Sequence, residues 1–321
     1  MYSKYRLCCL ILMLFFSACQ KEDQVAQEIA AIPVEIEINR FDQEFASATP
    51  SNLIQLKNNY PMLFSEEVPN EAYIEKMKDT LQAEINTEVS KAFPSFENEQ
   101  AELEKLFQHL KYYFPQIPTP KIITLAEEVD YRNKVILNED ILLVSLDNYL
   151  GEEHHFYEGF ASYLARLQTP DYLISDVAQV YAEKLVPRST SRKFLSTMVH
   201  HGKILYIKSL LQRFQEPHFA FDYTTAELDW AYANEAQIWK YFVEKSLLYS
   251  SDQKLKERFI NIGPYSKFYL ELDNESPPRL GQFIGYRIVE AFMDKNEISL
   301  EEMLTLEAEE IYNKSNYKPR K

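Results

Sequence analysis

Pro118-Thr119-Pro120-Lys121-Ile122-Ile123-Thr124 and then Lys134-Val135-Ile136-Leu137-Asn138-Glu139-Asp140-Ile141-Leu142-Leu143-Val144-Ser145-Leu146 break an otherwise helical pattern. The apolar runs Ile122-Ile123, Val135-Ile136-Leu137 and Ile141 to Val144 are short and bounded by turn residues, which fits two or three strands. Upstream, Pro33 to Asn39 alternates apolar and polar residues, as a half-buried strand does. Helical spacing predicts a short helix over Ser51 to Tyr60 and a longer one over Asn70 to Phe93. A third, capped by Ser95, carries Leu103, Leu106, Phe107, Leu110 and Phe114 on one face and stops at Pro115. From His154 the pattern is helical almost to the end. Thr224-x-x-Glu227 and Ser299-x-x-Glu302 have the form of capping boxes. Ser276 before Pro277 reads as an N-cap followed by proline at the first helical position. Beyond it, Leu280, Ile284, Ile288, Ala291 and Phe292 make one apolar face. The expected fold is therefore α+β and predominantly helical, one compact domain with a small sheet over residues 33–321.

The chain has 321 residues, 26% charged and 46% hydrophobic, the balance of a globular protein and not of a disordered one. Its six glycines, Gly151, Gly159, Gly202, Gly263, Gly281 and Gly285, are too dispersed to build a P-loop or a dinucleotide fingerprint. Acidic residues outnumber Lys plus Arg by 49 to 34, a net charge of −15, so a polyanion is repelled and no nucleic-acid partner is expected.

Lys4 and Arg6 precede an apolar run from Leu7 to Phe16, well short of the roughly 20 residues that span a bilayer. Small residues follow, so residues 1–18 read as a secretory signal peptide. Phe16-Ser17-Ala18-Cys19 resembles the lipobox of bacterial lipoproteins, with Phe16 in place of the usual Leu. The resemblance implies that Cys19 carries the lipid and that residues 19–32 form a lipidated tether. All three cysteines, Cys8, Cys9 and Cys19, lie in this segment, so the mature chain has no disulfide and its stability comes from core burial. Gln20-Lys21-Glu22-Asp23 resembles a surface-export signal of such lipoproteins, and as a bare sequence is also an ordinary charged linker.

The chemistry concentrates on Thr197-Met198-Val199-His200-His201-Gly202-Lys203-Ile204-Leu205-Tyr206. An H-E-x-x-H zinc peptidase needs two histidines four apart and a glutamate beside the first to deprotonate the bound water. His200 fills the first place, but His201 takes the glutamate place and Ile204 the second histidine place. Glu235, in Asn234-Glu235 on a further helix, is similar to a third ligand of such peptidases. His200 and Glu235 are thus the only candidate ligands of an eroded metal site, with no general base. No catalytic residue and no cofactor is expected. The bland alternative is structural: Leu195, Met198, Val199, Gly202, Leu205 and Tyr206 form an apolar stripe, Gly202 permits a close helix approach, and His200 and Glu235 share a buried hydrogen bond. Of the other histidines, His109 is expected exposed on its helix and His218 in a loop. His154 and His155 open a helix and, being adjacent, diverge by about 100°. There is no Gly-x-Ser-x-Gly elbow and no catalytic thiol in the mature chain.

Several longer blocks resemble the gliding-motility lipoprotein GldB family of Bacteroidetes, from about residue 33 to Tyr317-Lys318-Pro319. They are Ser145 to Gly151, Met198 to Tyr206, Asn234-Glu235 to Trp239, and Asp273 to Gly281 running on to Gly285-Tyr286-Arg287-Ile288-Val289. Pro278 and Tyr286 stand where the family pattern has Gly and Trp. The resemblance implies a lipoprotein of the cell membrane or outer membrane, periplasmic or surface-facing, that serves gliding or the secretion machinery coupled to it. It also implies a degenerate zinc-peptidase-like domain, acting as a non-catalytic component beside other motility or secretion envelope proteins. Two alternatives remain at this point: a lipid-anchored metallopeptidase with unusual ligands, and an envelope-binding module whose aromatic groove grips peptidoglycan or another lipoprotein.

Cys19→Ala is expected to block processing and to abolish incorporation of a palmitate analogue in metabolic labelling. Label that persists in the variant refutes Cys19 as the lipidation site.

Overall fold

A computed structural model describes residues 24–271 and 273–320. The expected signal peptide, Cys19 and the acidic stretch after it lie outside the described residues. Residues 24–30, part of the expected tether, are helical (α1), and Ile29 is buried. The Gln108 side chain donates to the carbonyls of Ala30 and Ile32 and fixes this segment to the body of the fold.

The first half runs β1 (Glu37–Asn39), α2 (Phe41–Ala46), α3 (Leu53–Asn59), α4 (Asn70–Lys78), α5 (Thr80–Ala92), α6 (Glu97–Tyr113), β2 (Lys121–Leu125), β3 (Val135–Asn138) and β4 (Ile141–Ser145). The second half is helical: α7 (Ser162–Ala165), α8 (Leu173–Leu185), α9 (Phe194–Leu211), α10 (Thr225–Ala233), α11 (Glu235–Glu244), α12 (Lys254–Phe259), α13 (Leu280–Met293), α14 (Leu300–Thr305) and α15 (Ala308–Ser315). This is the expected α+β architecture, mainly helical with a small sheet.

The sheet has the order β1-β2-β4-β3. β1 and β4 both run parallel to β2, and β3 closes one edge antiparallel to β4. Its consecutive apolar residues follow from burial on both faces, the usual state of parallel strands. Ile122, Leu142 and Val144 enter the main core with α6, α8 and α9. Ile123 and Leu125 turn the other way, onto Phe41, Phe45, Leu53, Leu56, Tyr60 and Phe64 of the N-terminal helices. Only the last three residues of the predicted Pro33–Asn39 strand pair with the sheet.

Local signals decide some boundaries and mislead at others. Both capping boxes form, at Thr224 with Glu227 and at Ser299 with Glu302. The predicted Asn70–Phe93 helix breaks at Asp79, which is extended and whose carboxylate accepts from the Gln82 N–H to start α5 afresh. Ser95 does not cap α6; Phe96 holds that position without a side-chain bond. Ser276 does not cap α13 either. Its hydroxyl donates to the carbonyls of Ser266 and Asp273, and the helix starts only after Arg279, which is left-handed at φ 57°. His154 and His155 belong to a short 3-10 turn over His155–Tyr157 rather than to a helix. His109 is half-buried against the Phe214 ring, centroids 5.4 Å apart, instead of exposed, and burial pushes its pKa down.

The centre of the fold is the crossing of α9 and α13. The predicted apolar stripe of α9 is only part of its buried surface, since Ile204, Ile207, Lys203 and Lys208 are buried as well. α13 is likewise buried on nearly every side. The two helices meet at glycines. A Cβ on Gly202 would run into the carbonyl group of Gly285 and the Tyr286 nitrogen, and one on Gly285 would run into the carbonyl group of Met198. Backbone packs on backbone here, closer than side chains of any size allow. Alanine at 202 would gain about 1 kcal/mol of helix propensity. The obstruction is main chain, which cannot rotate away, so the clash wins. Gly202→Ala is expected to cost at least about 2 kcal/mol of unfolding free energy in urea denaturation. Gly263→Ala, where no atom lies within 4 Å, should stay within about 0.5 kcal/mol of the parent.

Candidate functional site

His200 and His201 occupy the middle of α9, and Glu235 opens α11. His200 is half-buried in a small cleft of about 130 Å³ with Pro187, Ser196, Lys203 and Leu306. Burial, helped by the Lys203 charge, lowers its pKa, so the ring is held neutral. His201 points into different surroundings. Burial, with the charges of Arg279 and Lys256, pushes it down to about 4.

Glu235 is fully buried, and both of its carboxylate oxygens are engaged. Oε2 accepts from Arg287 Nε on α13 at 3.1 Å, and Oε1 accepts from the Tyr317 hydroxyl at 2.7 Å. Arg287 also pairs with Glu290. The expected hydrogen bond between His200 and Glu235 is therefore not the one that forms: the carboxylate is held by α13 and the C-terminal segment. Among the described residues no group of three His, Cys, Asp or Glu side chains could hold a metal ion.

Lys203, the residue after Gly202 on α9, lines the same cleft. Its ammonium donates to the Leu304 carbonyl at 2.9 Å and the Leu306 carbonyl at 2.7 Å. Burial pushes it down to about 8. It thus serves the carbonyls at the end of α14, groups that a helix leaves without partners of its own.

The strongest electrostatic feature was not legible in the sequence. Asp222, left-handed at φ 51° after the Pro217–Phe221 turn, receives Lys208 Nζ at 2.7 Å and Arg279 Nη1 at 2.8 Å. Arg279 also donates to the Phe221 carbonyl at 2.7 Å. Arg166 adds a bond to the Asp222 carbonyl at 3.3 Å and pairs with Glu227 at 2.6 Å. Burial by itself would raise the Asp222 pKa, but the two cations outweigh it and hold the carboxyl well below its usual range. The group ties α9, the loop before α10 and the start of α13 to one carboxylate. No spacing rule links Asp222, Lys208 and Arg279, so only the fold could reveal them.

The profile of gliding motility protein GldB matches residues 22–319. The chain belongs to that family. Membership gives it a role in gliding motility and makes it one of a family of lipoproteins, membrane-anchored proteins of the envelope. Among the described residues no helix is long and apolar enough to cross a membrane. No curated protein and no solved structure matches the chain. Two of the blocks that carried the resemblance meet in the core. Met198 to Tyr206 and Gly285 to Val289 are the two sides of the glycine crossing, and Arg279 precedes α13 at the Asp222 group.

Asp222→Asn leaves Lys208 and Arg279 buried without a counter-charge, and should cost about 3–5 kcal/mol in urea denaturation. His201 supplies a separate pH dependence. Its folded pKa of about 4 lies below the ordinary 6.5, so the unfolded chain binds the proton more readily. The His201 contribution is full above 6.5 and is lost as pH falls through that value toward 4, by on the order of 3 kcal/mol. A urea series over this window should show the loss, and His201→Gln should flatten it. The Asp222 contribution is distinct, because a depressed carboxyl loses its stabilisation only below about pH 3.9.

Proposed function

We propose that this GldB protein is a lipid-anchored, non-catalytic part of the gliding machinery or of the secretion machinery coupled to it. The anchor is the lipid on Cys19, and the partners are other envelope proteins of that machinery. Its helical domain is a zinc-peptidase-like body whose metal motif has eroded into structure.

The observation that carries this reading is the state of Glu235. A metal ligand must offer a lone pair to the ion, but this carboxylate neutralises Arg287 and accepts from Tyr317 inside the core. His200 has no second histidine at the required spacing, and His201 stands where the general base would be. One imidazole beside a committed carboxylate does not make a hydrolytic centre. Breaking the Glu235–Arg287 pair to free a ligand would strand a buried guanidinium, at a cost of several kcal/mol.

The test uses His200→Ala, because Glu235 cannot be removed without disturbing the core. A strain producing lipidated, folded His200→Ala protein is expected to glide like the parent. Purified parent protein, measured by elemental analysis after dialysis against zinc, should retain far less than one equivalent. Stoichiometric zinc that disappears in His200→Ala, together with lost gliding, would establish the metallopeptidase instead.

A further inference from the structure

Toward the C-termini of α9 and α13 lies a cavity of about 230 Å³. Tyr206, Ser209, Gln212, Tyr232, Tyr286 and Glu290 line it. Gln212 ends α9, its N–H returned to the Lys208 carbonyl. Its side chain is buried, the residue 3% exposed, and neither Oε1 nor Nε2 has a hydrogen-bond partner. Gln215, on the same wall, buries an Oε1 that also lacks one. Each buried polar group left in that state costs about 1–3 kcal/mol, and native folds rarely tolerate it without a ligand or water. A glutamine with both amide atoms unserved at a cavity wall is therefore a requirement placed on whatever fills the cavity.

The chemistry of the wall narrows the occupant. An anion could meet the Gln212 NH₂ and the Arg213 guanidinium, but would face three carboxylates, Glu216, Glu290 and Asp294, against that one cation. An ammonium ion could serve only the amide oxygen. A group that both donates and accepts serves the whole side chain. The Glu216 and Asp294 carboxylates and two amide oxygens make the wall rich in acceptors, which calls for a ligand rich in O–H donors. Tyr206 and Tyr286, centroids 6.2 Å apart, present ring surface for apolar C–H groups. Burial pushes both phenols up to about 12, so they remain neutral, and Tyr286 donates to Glu290 at 2.9 Å. A polyol with an apolar C–H face meets these conditions better than a peptide, which offers one N–H donor per residue. The volume is below the roughly 300–1,000 Å³ of drug-sized sites, and suits one ring.

We propose that this cavity is a binding site for an N-acetylated hexosamine ring of a glycan, with the Gln212 amide paired to the acetamido group and the acidic wall accepting from ring hydroxyls. The site goes beyond the scaffold role and does not depend on it: a motility component with or without metal could bind a glycan here.

The test is calorimetric titration of the full chain in detergent with the disaccharide of N-acetylglucosamine. Saturable binding is expected, weakened at least about tenfold by Gln212→Leu, with no fall in melting temperature because an unserved amide is what is lost. Cellobiose, which lacks the acetamido groups, should bind at least about tenfold more weakly than the acetylated disaccharide. If Gln212→Leu does not fold, Gln212→Met is measured in its place. The site is overturned by absence of saturable binding to the parent protein, by binding that Gln212 substitution leaves unchanged, by equal binding of cellobiose, or by an acetylated dipeptide amide that binds where the sugar does not.

Discussion

The contact of Gly202 with Gly285 is the constraint from which the rest of the helical body follows. Two main chains touch there, and neither can yield to a side chain. That contact fixes the distance and angle between α9 and α13, and so fixes what each presents on either side. Toward the C-terminus of α9 it places Lys208 against Asp222 and Arg279, and sets Tyr206 beside Tyr286 at the mouth of a polar cavity. On another side of α9 it leaves Lys203 under the end of α14. A residue with a Cβ at either glycine would alter all of these together. The cost of glycine in helix propensity, about 1 kcal/mol at each position, is small beside the packing it makes possible.

Around this crossing the fold buries charge in closed groups. Lys208, Arg279 and Asp222 form one, and Glu235, Arg287 and Glu290 another. Such groups add little net stability compared with well-packed apolar residues, because desolvation offsets most of the attraction. Their effect is on geometry. A misplaced helix would leave a buried ion without its partner, which is far worse than a misplaced leucine. The two groups also explain how a helix resembling a hydrolase motif can serve structure. The carboxylate that could have approached a metal is instead the counter-charge of a buried arginine.

Tyrosine is used in the same way. Tyr149, Tyr157 and Tyr223 are all but fully buried, and each sends its hydroxyl to an internal acceptor: Asp176, the Asp147 carbonyl and the Pro278 carbonyl. Much of the aromatic content is thus core and not recognition surface, as expected for rings with a polar tip that finds a partner. The rings that line the cavity differ because Gln212 beside them remains unserved.

The sequence by itself determined the fold class, the strands β2, β3 and β4 and both capping boxes, because these depend on periodicity and on hydrogen bonds spanning only a few residues. Ile122-Ile123 and Ile141 to Val144 declared buried strands, and Thr224 and Ser299 declared helix starts. It also determined that no H-E-x-x-H pattern starts at His200, since His201 and Ile204 are facts of spacing. Where local signals competed with distant partners the reading failed. Ser276 looked like a cap, but its hydroxyl is drawn to Ser266 and Asp273, and α13 begins later. Glu235 looked like a partner for His200, but Arg287 and Tyr317 approach it from more than fifty residues away. Asp222, Lys208 and Arg279 carried no signal at all, nor did Gln212. Only the tertiary structure decided these, because the energy of a buried charge or amide depends on which groups close around it, and those groups are neighbours in space and not in the chain.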